Sequence, residues 1–104
     1  MLFVETTTFT KLLPRYLSDD DYRGLQAYLM EHPDAGAVMK STGGVRKVRW
    51  SIEGKGKSGG VRVIYFWRRT HEQIFMLTIY GKGERANLSQ AQRNAIAQWV
   101  KRLT

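Results

Sequence analysis

After Thr42-Gly43-Gly44 the spacing of apolar residues changes from about 3.6 to about 2, and that change decides which folds are open to the chain. Val45 to Ile52 places Val48, Trp50 and Ile52 on one side and Lys47, Arg49 and Ser51 on the other, which predicts a strand with one buried and one basic face. Val61 to Trp67 is apolar on both sides apart from Arg62, as a central strand covered from both faces must be. Arg68 to Gln73 supplies a polar hairpin connection, and in a third strand Phe75, Leu77 and Ile79 alternate with Met76, Thr78 and Tyr80. Three strands joined in this way predict an antiparallel meander.

The flanking segments read as helices. Leu2 to Thr7 predicts a short strand, and Phe9 to Leu13 one helical turn that Pro14 stops. Ser18, followed by Asp19, Asp20 and Asp21 and then by Tyr22, Leu25, Tyr28 and Leu29, predicts an N-capped amphipathic helix over 19–31. His32-Pro33-Asp34-Ala35-Gly36 ends that helix, which makes His32 a helix-terminal residue and not a catalytic one. Ser89 at N-cap with Gln92 three residues on opens a last helix. Its Ala91, Ala95, Ile96, Trp99, Val100 and Leu103 face the sheet, with Arg93 and Lys101 outward. The expected fold is α+β: one domain over 1–104, a central antiparallel sheet flanked by N-terminal helices and a C-terminal helix.

The excess of positive charge is confined to the strand region. The chain carries a net +8, and between Lys40 and Arg85 eleven Lys and Arg meet three Glu, while outside that stretch the balance is zero. A localised positive field is either a footprint for phosphate or a solvated face that aids solubility. Without cysteine, neither a disulfide nor a thiolate metal site can form, and the cytosol is the expected compartment. The first residues, Met1 to Glu5, carry no basic run and no long apolar run, and no window approaches the ~20 apolar residues of a membrane span.

The signatures of metal hydrolases and triad enzymes are missing: there is no HExxH, no GxSxG, and the two His are far apart. Any chemistry therefore falls to Lys, Arg and Tyr, with no metal or other cofactor. Gly54-Lys55-Gly56-Lys57-Ser58-Gly59-Gly60 is not a Walker loop, since a strand follows it in place of a helix. By itself it reads as a wide hairpin loop or as an anion-binding turn. In a meander, adjacent strand ends lie ~5 Å apart, which brings Lys47, Arg49, the loop lysines, Arg62, Tyr80 and Lys82 toward one edge.

Such an edge suits phosphodiester cleavage by 2′-OH attack. Arg46, Arg49 and Arg62 do not deprotonate, and so serve as clamps for phosphate oxygens. Lys55, Lys57 and Lys82 are proton shuttles, because neighbouring cations lower a lysine's pKa. Tyr80 donates a proton, stacks on a base, or simply fills the sheet rim. Other aromatic residues are available for base stacking, but Trp50, Phe66, Phe75 and Trp99 fall on apolar patterns and are expected in the core. His71, beside Arg68 and Arg69, belongs to an exposed hairpin turn.

At these residues the sequence resembles the RelE/HigB superfamily of type II toxins, and most closely its HigB-like branch. The resemblance is carried by residues 42–49 (Thr42-Gly43-Gly44-Val45-Arg46-Lys47-Val48-Arg49), by Gly54 to Phe66, and by Leu77-Thr78-Ile79-Tyr80-Gly81-Lys82. It extends more loosely to Phe3-Val4-Glu5, Tyr16-Leu17-Ser18-Asp19 and Asn87-Leu88. It implies a compact RelE-like toxin that enters the ribosomal A site and cuts the mRNA there as an mRNA interferase. A cognate helix-turn-helix antitoxin is implied as partner, the toxin being monomeric when free. The family's loop-lysine position falls on Lys55 with Lys57 beside it, its strand arginine on Arg62, and the lysine after the last strand's glycine on Lys82. Relatives carry a further arginine where this chain has Gly83, and a tyrosine where it runs Ala86-Asn87-Leu88-Ser89. Arg85 and Tyr80 stand nearby as substitutes, and Lys47 and Arg85 join the arginines as RNA contacts.

Two functions fit these features: a ribosome-dependent endoribonuclease, or a basic RNA- or ribosome-binding module without chemistry. They part on whether mRNA is cut.

Overall fold

The computed structural model describes residues 1–51, 60–84 and 88–103. In chain order these are β1 (Leu2–Glu5), α1 (Thr7–Tyr16), α2 (Asp19–Glu31), β2 (Ala37–Val38), β3 (Arg46–Trp50), β4 (Val61–Arg68), a 3-10 turn (Arg69–His71), β5 (Gln73–Gly81) and α3 (Gln90–Leu103). The five strands form one sheet in the order β1-β5-β4-β3-β2. β3, β4 and β5 make the expected antiparallel meander. β1 pairs parallel with β5, so the sheet is mixed. The chain starts on the outer side of β5, and α1 and α2 carry it across to β2 at the opposite edge, from which the meander returns.

β4 is covered on both faces. Val61, Val63 and Tyr65 join Phe9, Leu17, Leu25 and Leu29 in a core beneath α1 and α2, while Ile64 and Phe66 join Val45, Met39 and Val100 in a second core under α3. Trp50 packs against the first core, Phe75 and Trp99 against the second, and the two rings of the latter pair meet edge-on at 5.2 Å. His71 is exposed.

Both predicted caps form. Ser18 and Asp21 make a reciprocal capping box at α2, and Ser89 and Gln92 do the same ahead of α3, with Gln92 N donating to Ser89 Oγ at 3.1 Å and Ser89 N to Gln92 Oε1 at 2.8 Å. His32 is the C-cap of α2, its N–H bonded to Tyr28 O.

Four expectations are corrected. Pro14 does not stop α1, which runs on to Tyr16. Tertiary packing of Phe9, Leu12, Leu13 and Tyr16 outweighs the hydrogen bond that proline cannot donate. β1 ends at Glu5 because Thr6 turns to cap α1, accepting Phe9 N at 3.0 Å. Arg93 is not outward: it donates to Lys40 O at 2.6 Å and to Leu88 O at 3.3 Å, tying α3 to the turn before β3. β3 begins at Arg46 and ends at Trp50, with Ile52 outside the described residues.

A further difference, within β5, shapes the basic face. The ladder pairs Ile64 with Thr78 and Tyr65 with Met76, leaving Leu77 as an extra residue in a β-bulge. Alternation therefore breaks: Ile74, Met76 and Ile79 face the first core, and Phe75, Leu77 and Tyr80 the second. Strict alternation would have put Tyr80 with Met76. Thr6 anchors the bulge, its N–H donating to Met76 O at 3.1 Å and its Oγ1 to Leu77 O at 2.7 Å.

Candidate active site

Residues directly opposed in an antiparallel ladder point to the same face. Arg49 opposes Arg62, and Arg62 opposes Tyr80, so the three side chains form one row across β3, β4 and β5. Lys47 opposes Ile64 one row along and shares that face. Arg49 and Lys47 are exposed, while Arg62 and Tyr80 are half-buried. Between Arg49 and Arg62 the surface dips into a cleft of about 160 Å³, also lined by Ser51 and Gly60. Lys82 lies in the turn after β5, where its N–H donates to Gly60 O at 3.3 Å, closing the sheet end against this cleft.

The row is positively charged and, among the described residues, uncompensated. Among the described residues no carboxylate lies within 4.0 Å of Lys47, Arg49, Arg62 or Lys82; the ion pairs are Arg23 with Asp20 and His32 with Glu31. Burial raises the Tyr80 pKa above its ordinary 10.0, against a smaller lowering by Arg62. The phenol is thus neutral near pH 7, and donates a hydrogen bond without acting as a base. No group of His, Cys, Asp and Glu that would hold a metal is present among the described residues.

Arg46 does not join this row. It opposes Tyr65 on the other face, and its Nη1 donates to Gly36 O at 2.7 Å and to Asp34 O at 3.0 Å. Its expected place as a phosphate clamp is thus taken by a backbone-bracing role. Lys55, Lys57 and Arg85 lie outside the described residues.

Two residues at the site were not singled out from sequence, Tyr16 and Glu84. The Tyr16 hydroxyl donates to Glu84 Oε1 at 2.7 Å, and Gly81 N–H donates to the same oxygen at 2.6 Å. Tyr16 was hidden by Pro14, which suggested that the helix stopped before it. Glu84 sits in a turn whose lysine and glycines gave the stronger signal. Both border an open cavity of about 860 Å³ next to Tyr80.

With this geometry in place, residues 26–104 match the family described as RelE toxin of the RelE/RelB toxin–antitoxin system. The chain belongs to the RelE toxin family. Solved structures agree on the fold. A chain of the intact Escherichia coli RelBE toxin–antitoxin complex is 17% identical, with a TM-score of 0.56 over 81% of this chain and 98% of that one. A double arginine-to-alanine mutant of Escherichia coli RelE in the free state is 15% identical, with a TM-score of 0.56 over 99% of this chain and 97% of that one. Isolated Escherichia coli RelE is 17% identical, with a TM-score of 0.52 over 99% and 98%. At these identities the structures speak for the RelE fold, and the family match makes this chain a RelE-type toxin of a toxin–antitoxin system. Among the described residues, no helix of this RelE-family chain is long and apolar enough to cross a membrane.

Proposed function

We propose that this RelE-family toxin is a metal-independent endoribonuclease that cleaves mRNA in the ribosomal A site and so arrests translation in the cytoplasm. The observation that carries the reading is the row Arg49–Arg62–Tyr80, uncompensated among the described residues. Two guanidinium groups carried at opposed positions of neighbouring strands can hold the non-bridging oxygens of one phosphate, and they keep their charge at every physiological pH.

Cleavage forms a bond from the 2′-oxygen to phosphorus and breaks the bond to the 5′-oxygen, leaving a 2′,3′-cyclic phosphate. Arg62 and Arg49 stabilise the pentacovalent phosphorane as charge builds on its oxygens. Tyr80, neutral beside Arg62, donates a hydrogen bond to the same group. Lys82, with Lys55 and Lys57 from the sequence before β4, takes the proton from the 2′-hydroxyl and returns one to the leaving 5′-oxygen. Lys47 extends the positive face along the RNA backbone, with Arg85 as a further contact. The partners are the ribosome with its mRNA and a cognate antitoxin of helix-turn-helix type, the toxin being a monomer when free.

A cleavage assay on programmed ribosomes tests this. The wild type should produce cut mRNA, and Arg62→Ala should lose roughly 10²–10³-fold in rate while its thermal unfolding is preserved. Intact mRNA on arrested ribosomes would instead establish a binding module without chemistry.

A further inference from the structure

Lys82 is carried by a turn that packing does not hold. Lys82, Gly83 and Glu84 are all exposed, and Gly83 takes a left-handed φ of 86°, a conformation that suits glycine and closes the turn. β1 covers the outer edge of β5 only as far as Met76, and Thr6 bonds the carbonyls of Met76 and Leu77. Past that point no strand among the described residues pairs with this edge. Backbone N–H groups alternate in direction along a strand, so while Lys82 N–H donates to Gly60 O on the β4 side at 3.3 Å, Gly81 N–H points the other way.

What Gly81 N–H meets there is Glu84. The carboxylate folds back over the turn and its Oε1 accepts from Gly81 N–H at 2.6 Å, while Glu84 N–H donates to Gly81 O at 3.1 Å. The same Oε1 accepts at 2.7 Å from the hydroxyl of Tyr16, the last residue of α1. Tyr16 is itself fixed, since its ring packs against the first core. The Tyr16 bond, followed by the Gly81 bond, holds the Glu84 pKa below its ordinary 4.5, so the acceptor is ionised near neutral pH, and bonds to an ionised acceptor are roughly twice as strong as neutral ones. Gly81 leaves room for the arrangement: a Cβ there would lie 2.7 Å from Oε1 and 3.5 Å from Tyr16 Cε1.

We propose that Tyr16 and Glu84 are positioning residues for the cleavage reaction, a strut from α1 to the turn after β5 that sets Lys82 at the end of the row containing Arg62 and Tyr80. The strut acts through Lys82 and makes no contact with the scissile phosphate. It has an electrostatic side as well. Glu84 is the carboxylate nearest to Lys82 in sequence, yet with Oε1 engaged by Tyr16 and Gly81 it forms no ion pair with that lysine, whose charge is left for the phosphate. The proposal rests on the catalytic role given above to Lys82.

The test is the single-turnover cleavage rate of ribosome-bound toxin, in which unfolded molecules do not enter, with affinity measured separately on 2′-O-methylated codons that 2′-OH attack cannot cut. Tyr16→Phe keeps the ring in the core and removes only the bond to Glu84, and it should slow cleavage about 10-fold with affinity within about 2-fold of wild type. Glu84→Ala, which removes both bonds, should slow it by about 10²-fold. Glu84→Gln, which keeps an acceptor oxygen for both donors, should restore the rate to within about 3-fold of wild type. In a Lys82→Ala background, Tyr16→Phe should have no further effect. Wild-type rates in Tyr16→Phe and Glu84→Ala, a loss seen in affinity and not in rate, or an equal loss with and without Lys82 overturns the strut and leaves the nuclease reading standing. A wild-type rate in Lys82→Ala, or intact mRNA with the unsubstituted toxin, overturns the reading on which the strut rests.

Discussion

Arg62 on β4 faces Tyr80 on β5, and the pairing falls on the same face as Arg49 only because Leu77 bulges out of the ladder. One extra residue turns Tyr80 from the first core toward the basic face. The hydroxyl that arrives there is neutral, since burial holds its pKa above 10.0. Tyr80→Phe keeps the ring and removes only the donor. It should lower the cleavage rate on programmed ribosomes by roughly 10²-fold with binding retained, as expected for a hydrogen bond made to the transition state. An unchanged rate would leave Tyr80 a stacking residue.

The bulge itself depends on Thr6, whose N–H and hydroxyl bond the carbonyls of Met76 and Leu77 while Oγ1 caps α1. Thr6→Val keeps the side chain's shape and removes both hydroxyl bonds, at a cost of about 1 kcal/mol in urea unfolding. Thr6→Ser should recover most of it. Because the carbonyl of Leu77 loses its anchor, Thr6→Val should also slow cleavage, which loss of a helix cap alone would not do.

Sequence patterns placed the meander, both caps and the basic face, since those follow from local spacing: Lys47 and Arg49 alternate with Val48 and Trp50, and a strand must separate them. The bulge left no such trace. Leu77 and Thr78 are each acceptable on either side of a strand, and their shared face is set by Thr6, about seventy residues away in sequence. Tyr16 with Glu84 is likewise a long-range pair, joined only once α1 packs on β5. The parallel pairing of β1 was equally invisible, because four residues of strand read the same in either direction.

The Tyr16–Glu84 pair should show in the pH dependence of stability. Its hydrogen bond is the leading cause that raises the Tyr16 pKa above 10.0 and lowers that of Glu84 below 4.5. A carboxylate with a lowered folded pKa contributes stability that is present above 4.5 and lost as pH falls through the folded value. A phenol with a raised folded pKa contributes stability that is complete below 10.0 and lost as pH rises through its folded value. Denaturant unfolding should therefore find Glu84→Gln less stable than wild type between those limits, with the difference closing in acid. A gap that persists unchanged in acid would mean that the pair is not what Glu84 contributes. Gly81→Ala should mimic the substitution, since a Cβ there would lie 2.7 Å from Glu84 Oε1.

Arg46 and Arg49, three positions apart on β3, should separate stability from function. Arg46 opposes Tyr65 and braces the carbonyls of Asp34 and Gly36, in a region where Tyr65 Oη also accepts from Gly36 N–H at 3.0 Å and donates to Pro33 O at 2.8 Å. Removing it leaves those carbonyls short of a charged donor, so Arg46→Ala should cost about 1–2 kcal/mol of folding stability. Its specific activity, measured on the folded fraction, should stay near wild type. The Arg49 side chain makes no hydrogen bond or ion pair to another described residue, and Arg49 opposes Arg62. Its removal relieves like-charge repulsion, so Arg49→Ala should leave stability unchanged or slightly raised. Ribosome binding should weaken, and the salt dependence of that binding should become shallower by about one counterion. If Arg46→Ala proved the more damaging to cleavage at full stability, the functional face of the sheet would be the opposite one.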